Sequence, residues 1–210
     1  MNELSEEHLE LVRYWRNSPE ISSKMEYRNF ITHQMQLSWY KSLDLARDFY
    51  YIIEYKDIYI GLINTSKIDE QDKSAQAGLF IWDHKYHDTH IPVLASLAML
   101  DVFFDVFHIN KIYAKVLKTN NKAIRYNTNL GFRLMPEQAN QEFQNYFIDK
   151  SNYRETAHKI WSIAQRKKNQ LSSVTMRQNE FDQLCNLLKL DPKTVDLKDS
   201  GGFEIFLYPK

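Results

Sequence analysis

The sequence predicts a mixed α/β fold over residues 1–153, followed over 154–210 by a small helical lobe that ends in a strand. Three observations predict it. Apolar residues recur at helical spacing in two segments near the N-terminus. Short runs rich in β-branched and aromatic residues follow one another between 49 and 82. From 93 onward, strand and helix patterns alternate, the order that builds a sheet covered by helices.

The elements follow in chain order. Ser5, with Glu6 and Glu7 behind it, opens a first helix whose Leu9, Val12 and Trp15 share one face. Pro19 ends this helix or lies in the turn beyond it. Thr32 is placed to cap a second helix with Met35, Trp39 and Leu43 on its apolar face. FYYIIEYK (49–56) and IYIGLINTSKI (58–68) read as a hairpin turning near Asp57, and Ser74–Trp82 as a third strand. Val93–Phe107 is a helix apolar on most sides, hence buried. KIYAKVL (111–117) alternates as a strand. Asn120–Leu130 is a short helix with Gly131 at its C′ position, and Phe132–Met135 and Phe143–Asp149 close the sheet. From Tyr153, YRETAHKIWSIAQRKKNQ reads as a helix with a basic end and SSVT as a break. EFDQLCNLLKL is a helix with Phe181, Leu184, Leu187 and Leu188 on one side, and FEIFLYP (203–209) is the final strand.

Composition narrows the function. The 210 residues are 43% hydrophobic, with 13 Tyr and 12 Phe, enough for an aromatic-rich core. Lys+Arg and Asp+Glu both number 27, so no net field draws in nucleic acid or anionic lipid. One cysteine, Cys185, allows neither an intrachain disulfide nor a multi-cysteine zinc site, which fits a reducing compartment. The opening MNELSEEHLE is acidic and does not read as a signal peptide. The longest apolar runs fall far below the roughly 20 residues of a membrane span. The expectation is a cytoplasmic protein with neither nucleic-acid nor membrane partners.

INKIYAKVLKTNNKAIRYNTNLGF (109–132) resembles the strand–helix–strand segment of the GNAT superfamily of CoA-dependent N-acyltransferases, with its N-x-x-A-I-x-x-Y-x-x-L-G-F pattern. VRYWRNSPEI (12–21) with ITHQMQLSWYKSL (31–43) is similar to a subset that includes amino-sugar N-acyltransferases of surface-polysaccharide pathways and ribosomal-protein N-terminal acetyltransferases. The resemblance covers roughly residues 8–150. It implies a twisted central sheet in which two strands, 75–82 and 111–117, splay apart. The acyl-CoA pantetheine arm lies between them, backbone N–H groups at Ile81 and Trp82 serve the arm and the thioester, and the diphosphate sits where the next helix begins.

That helix start is where the chain departs from the resemblance. The family pattern is Arg/Gln-x-x-Gly-x-Gly/Ala; here His87 takes the first position, His90 the first glycine and Pro92 the second. Two readings are open. In one, the helix N-terminus still binds the diphosphate, with His87, Asp88, Thr89, His90, Ile91, Pro92 and Val93 forming the site and side chains replacing the glycine amides. In the other, the loop is an ordinary helix start with Pro92 at N1, and the chain is a non-catalytic binding module. His84, His87 and His90 are spaced i, i+3, but no carboxylate–histidine frame surrounds them, so no metal site is expected.

Catalysis needs a neutral amine, an oxyanion donor and a proton for the leaving thiolate. Relatives place a tyrosine acid in the helix after the second splayed strand; that position is Asn127 here, and Tyr126 points about 100° away around the helix. Asn127 is then a hydrogen-bond partner for the CoA sulfur or the pantetheine. His84 is the candidate base, with Asp83 a second candidate and water relay an alternative. Asn120 resembles the asparagine that both caps that helix and touches CoA. Trp15, Arg16, Asn17 and His33 are the candidate acceptor residues, Arg16 for a phosphate or carboxylate.

Relatives open with a strand that this chain lacks at sequence level. The expectation is that FEIFLYP docks at that empty sheet edge, and that Leu184, Leu187 and Leu188 seat the lobe beside the acceptor cleft. The resulting reading is transfer of an acyl group, acetyl or longer, from CoA to the amine of a nucleotide-linked amino sugar. Acetylation of a protein N-terminus is the alternative.

Overall fold

The structure, a computed structural model, describes residues 1–156, 172–193 and 203–208. Strands β1 (Asn2–Glu3), β2 (Phe49–Tyr55), β3 (Ile58–Asp69), β4 (Ser74–Ile81), β5 (Lys111–Leu117), β6 (Arg133–Leu134) and β7 (Phe143–Asp149) form one sheet. Their order is β1-β2-β3-β4-β5-β7-β6. Every neighbouring pair is antiparallel except β4–β5. The hairpin between β2 and β3 turns through Lys56 and Asp57, both at positive φ (51° and 61°), the geometry whose twist suits adjacent strands.

Strand alternation sorts the core into two layers. On β2, Phe49, Tyr51 and Ile53 belong to the large cluster built around helix α4 (Ile91–Asp101). Ile52, between them, belongs to the other layer with Leu9, Val12, Ile21 and Trp82, under α1 (Leu9–Arg16), α2 (Pro19–Ser22) and α3 (His33–Lys41). Pro19 is thus the start of α2, where its missing N–H costs nothing. The predicted face of α3 is corrected: Met35 is exposed, while Leu37, Trp39 and Tyr40 pack inward. The cap from Thr32 Oγ1 to the Met35 N–H is present, at 3.2 Å.

The predicted buried helix 93–107 is α4 followed by a π-helical turn, Val102–Val106, in which the Phe107 N–H reaches back to Val102 O at 3.0 Å. The wider turn leaves Phe104 O to Lys150 Nζ, at 2.6 Å. Asp101, buried at the end of α4, lies 2.5 Å from Tyr153 Oη. Both partners come from α6, which begins at 150 and is described to 156. The rest of the predicted helix 153–170 lies outside the described residues.

Three expectations are overturned. The sheet does have a first strand: Asn2 and Glu3 pair with Ile52 and Tyr51, a run too short to show a pattern. SSVT is not a break but the start of β8 (Ser172–Arg177), paired in parallel with β9 (Phe203–Tyr208) as a separate two-stranded sheet. β9 therefore does not fill the main sheet's edge, which β1 already occupies. The predicted C-terminal helix is present as α7 (Gln178–Leu188), with Phe181, Leu184, Cys185 and Leu188 inside the large core cluster.

Candidate active site

β4 and β5 pair only over Ser74–Ala77 and Lys111–Ala114, then diverge. The gap opens into a cavity of about 510 Å³. Its walls are the Gly78–Trp82 stretch on one side and Val116, Leu117 and helix α5 (Asn121–Asn129) on the other. Met99 and Leu100 of the buried α4 line it as well.

The backbone of β4 supplies donors to this gap. Trp82 N–H bonds Ile60 O on β3 at 3.0 Å, and at the strand's other end Lys73 O accepts from Asn110 N–H at 2.7 Å, toward β5. Antiparallel alternation then turns the amides of Leu79 and Ile81 toward β5, where β5 no longer pairs with them. Ile81 O is taken by His87 Nε2 at 2.9 Å. Trp82 lines the cavity as a ring: it is buried, lies parallel to Trp15 at 6.3 Å, and donates its indole N–H to Tyr59 O at 2.8 Å.

At the rim, α2 contributes Glu20, and the turn after it contributes Lys24. Glu20 Oε2 lies 2.5 Å from His84 Nε2, and the His84 and His87 rings touch edge to face at 4.9 Å. Asp83 does not line the cavity; its carboxylate caps the turn His84–Tyr86 and pairs with Lys85 Nζ at 3.0 Å. Burial opposes ionisation of Asp83, but the bonds from Lys85 together outweigh it and leave the carboxyl below its ordinary range.

Of the candidate acceptor residues, Trp15, Arg16, Asn17 and His33 are not part of the cavity wall. Asn17 holds the 24–32 loop, donating to Ile31 O at 2.9 Å and accepting from Ile31 N–H at 2.8 Å. His33 sits outside with its Nδ1 2.5 Å from Glu10 Oε1. Arg16 is half-buried; its Nη1 is fully buried and has no hydrogen-bond partner among the described residues. Burial lowers its pKa.

α5 meets α4 through Tyr126. Its hydroxyl donates to Pro92 O at 2.8 Å and so accepts from Ser96 Oγ–H, also at 2.8 Å. Burial pushes this phenol well above its ordinary pKa, so it stays protonated, and its proton is committed to Pro92 O. Asn127 lines the cavity with one amide hydrogen spent on Ala123 O at 2.8 Å, which leaves the other hydrogen and Oδ1. Asn120 caps α5 through the Ala123 N–H at 3.2 Å and also lines the cavity.

The start of α4 is largely closed. Ile91 N–H bonds Thr89 Oγ1 at 3.3 Å, Pro92 has no N–H, and Leu94 N–H bonds His90 O at 3.0 Å. Sequence reasoning missed Glu20, Lys24, Lys122 and Arg125, all of which line the cavity. Predicted Ile81, His87, Asp88 and Pro92 do line it; Thr89, His90, Ile91 and Val93 do not. The lobe expectation is corrected too: among the described residues nothing beyond Phe132 lines the cavity, and α7 packs behind α4 against Phe107, ring to ring at 5.9 Å.

The family model described as "Acetyltransferase (GNAT) domain" matches residues 1–133. No curated protein matches the sequence. Among solved structures, the chain is similar to the spermidine N-acetyltransferase from Vibrio cholerae in complex with CoA and spermine, at 19% identity over 73% of this chain and 96% of that one, TM-score 0.62. It is similar to FdhC, a nucleotide-linked sugar GNAT, at 20% identity over 76% and 90%, TM-score 0.63. It is also similar to the aminoglycoside acetyltransferase AAC(6')-Ib in complex with coenzyme A, at 14% identity over 74% and 97%, TM-score 0.63. These likenesses concern the fold. The residues present suit an acyl-CoA: the gap is open, the Leu79 and Ile81 amides face it, and two cations flank it on α5. The chain belongs to the GNAT acetyltransferase family, and its acyl donor is CoA-linked.

Proposed function

We propose that the protein transfers an acyl group from CoA to the amine of a nucleotide-linked amino sugar in the cytoplasm. The observation that carries the acceptor class is a pair of cations on the α1–α2 side. Lys24 stands at the cavity rim, and Arg16, outside the cavity wall, has its Nη1 buried without a partner among the described residues. A guanidinium nitrogen buried without a partner is costly, and a phosphate is a partner the planar fork of arginine fits. The nucleotide-sugar GNAT among the structural neighbours fits the same reading.

The chemistry follows from the walls. The amine attacks the thioester carbonyl, a C–N bond forms and the C–S bond breaks. The Ile81 or Leu79 amide, already fixed by β4, stabilises the oxyanion without reorganising. His84, oriented by Glu20, takes the ammonium or amine proton directly or through one water. Asn127 donates its remaining amide hydrogen toward the departing sulfur.

The test is thiol release from a panel of acyl-CoAs with nucleotide-linked amino sugars, the matching free amino sugars, polyamines, and peptides with free N-termini. The expected result is turnover of a nucleotide-linked sugar at least about tenfold above the free sugar, the scale of one charge-assisted phosphate contact. Turnover confined to polyamines or peptides would overturn the acceptor reading.

A further inference from the structure

We propose that the diphosphate of CoA is held by the cationic flank of α5, Lys122 and Arg125, and not by the loop and first turn of α4. The α4 side has few donors left. Thr89 Oγ1 occupies the Ile91 N–H and itself donates to Tyr86 O at 2.8 Å. Pro92 contributes no N–H, and Leu94 N–H is already intrahelical. Val93 N–H is the first-turn amide without a partner among the described residues. The loop side chains have turned elsewhere: His87 holds Ile81 O at 2.9 Å and Lys85 pairs with Asp83 at 3.0 Å.

α5 presents the opposite picture. Lys122 and Arg125 are three residues apart, so they share one helix face, and both line the cavity opposite Pro92 and Asp88. The Lys122 partner in the structure is the exposed Asp88 carboxylate, at 3.9 Å. Arg125 has no ion pair among the described residues. Tyr126, between them and Asn127, bolts this helix to Pro92 O, which fixes how far the two cations stand from the start of α4. A doubly charged diphosphate entering beside α4 meets two positive side chains there and displaces Asp88 from Lys122. The proposal rests on CoA as donor, which family membership gives, and not on the acceptor class.

The experiment is calorimetric titration of CoA, with no acceptor present, into the full chain and its variants. Lys122 and Arg125 are both exposed, so their substitution leaves the core intact, and a melting curve for each variant checks that. K122A and R125A should each weaken CoA binding about fivefold and the double variant about 30-fold, less than buried charge pairs give because both sites are solvent-exposed. D88N should tighten binding about twofold. K85A and H90A should stay within about twofold of the parent. The double variant should also show a shallower fall of affinity with salt. Dephospho-CoA should show the same losses, since it keeps the diphosphate. A double variant within about threefold of the parent, larger losses from the loop variants, or losses that vanish with dephospho-CoA would each overturn the proposal.

Discussion

His84 and Glu20 come from different elements, the turn after β4 and helix α2, and meet at 2.5 Å on the rim of the cavity. A carboxylate that engages one imidazole nitrogen fixes the ring and leaves the other nitrogen for a substrate proton or water. H84A is therefore expected to lower kcat by about 100-fold, within the range of general-base losses. E20Q keeps a hydrogen-bond partner but not the charge, so it should lower kcat by clearly less than H84A does. Full activity in H84A would assign proton removal to water. At this scale the sequence showed the residues whose chemistry is unusual for a loop, such as His84, His87 and Asn120. It could not show Glu20, Lys24, Lys122 or Arg125. A charged residue on a short polar helix or in the turn after it looks like solvated surface until the tertiary fold turns it toward the gap. Arg16 and Asn17 were found through the family pattern, yet Asn17 proves to be spent on Ile31.

Among elements, the α4–α5 contact decides the shape of the donor end. Tyr126, itself partly buried, satisfies Pro92 O and Ser96 Oγ at once, and Pro92 and Ser96 both lie on the buried side of α4. Y126F leaves two polar groups unsatisfied and should cost about 1–3 kcal/mol in urea unfolding. It should also weaken CoA binding, because the two helices flanking the gap lose their tie; a variant as stable as the parent would refute the clamp. Element boundaries were legible wherever the signal is local. The Lys56–Asp57 turn, the alternation of β5 and the Asn120 cap with Gly131 beyond α5 all follow from neighbours in sequence. β1 is only two residues, and the first residues of β8 are small and polar, so neither offers a period to read. The partner of β9 is a non-local choice that composition leaves open.

For the molecule as a whole, the C-terminal segment is part of the same core as the sheet. Met176, Phe181, Leu184, Cys185 and Leu188 are buried with Phe103 and Phe107 of the α4 region. Thr175 ties β8 to Met1 O through its N–H at 3.1 Å and its hydroxyl at 2.9 Å. L184A should therefore destabilise the whole chain by about 2–5 kcal/mol, with both segments melting in one transition. Next to that seam lies a pair of carboxyls. Glu180 is buried, and burial together with its hydrogen bond to Glu3 pushes its pKa from an ordinary 4.5 up to about 9; the Arg177 guanidinium, 3.2 Å from Glu3, pulls the other way. The folded state thus keeps a proton that the unfolded chain releases. Stability from this group is complete below pH 4.5, declines as pH rises, and is lost once pH passes about 9. E180Q retains a hydrogen-bond donor and cannot ionise, so its melting temperature should fall less than the parent's between pH 5 and pH 9 and should exceed it at the alkaline end. Thermal unfolding of both proteins across that range is the check: parallel curves would mean that Glu180 is already ionised in the folded state.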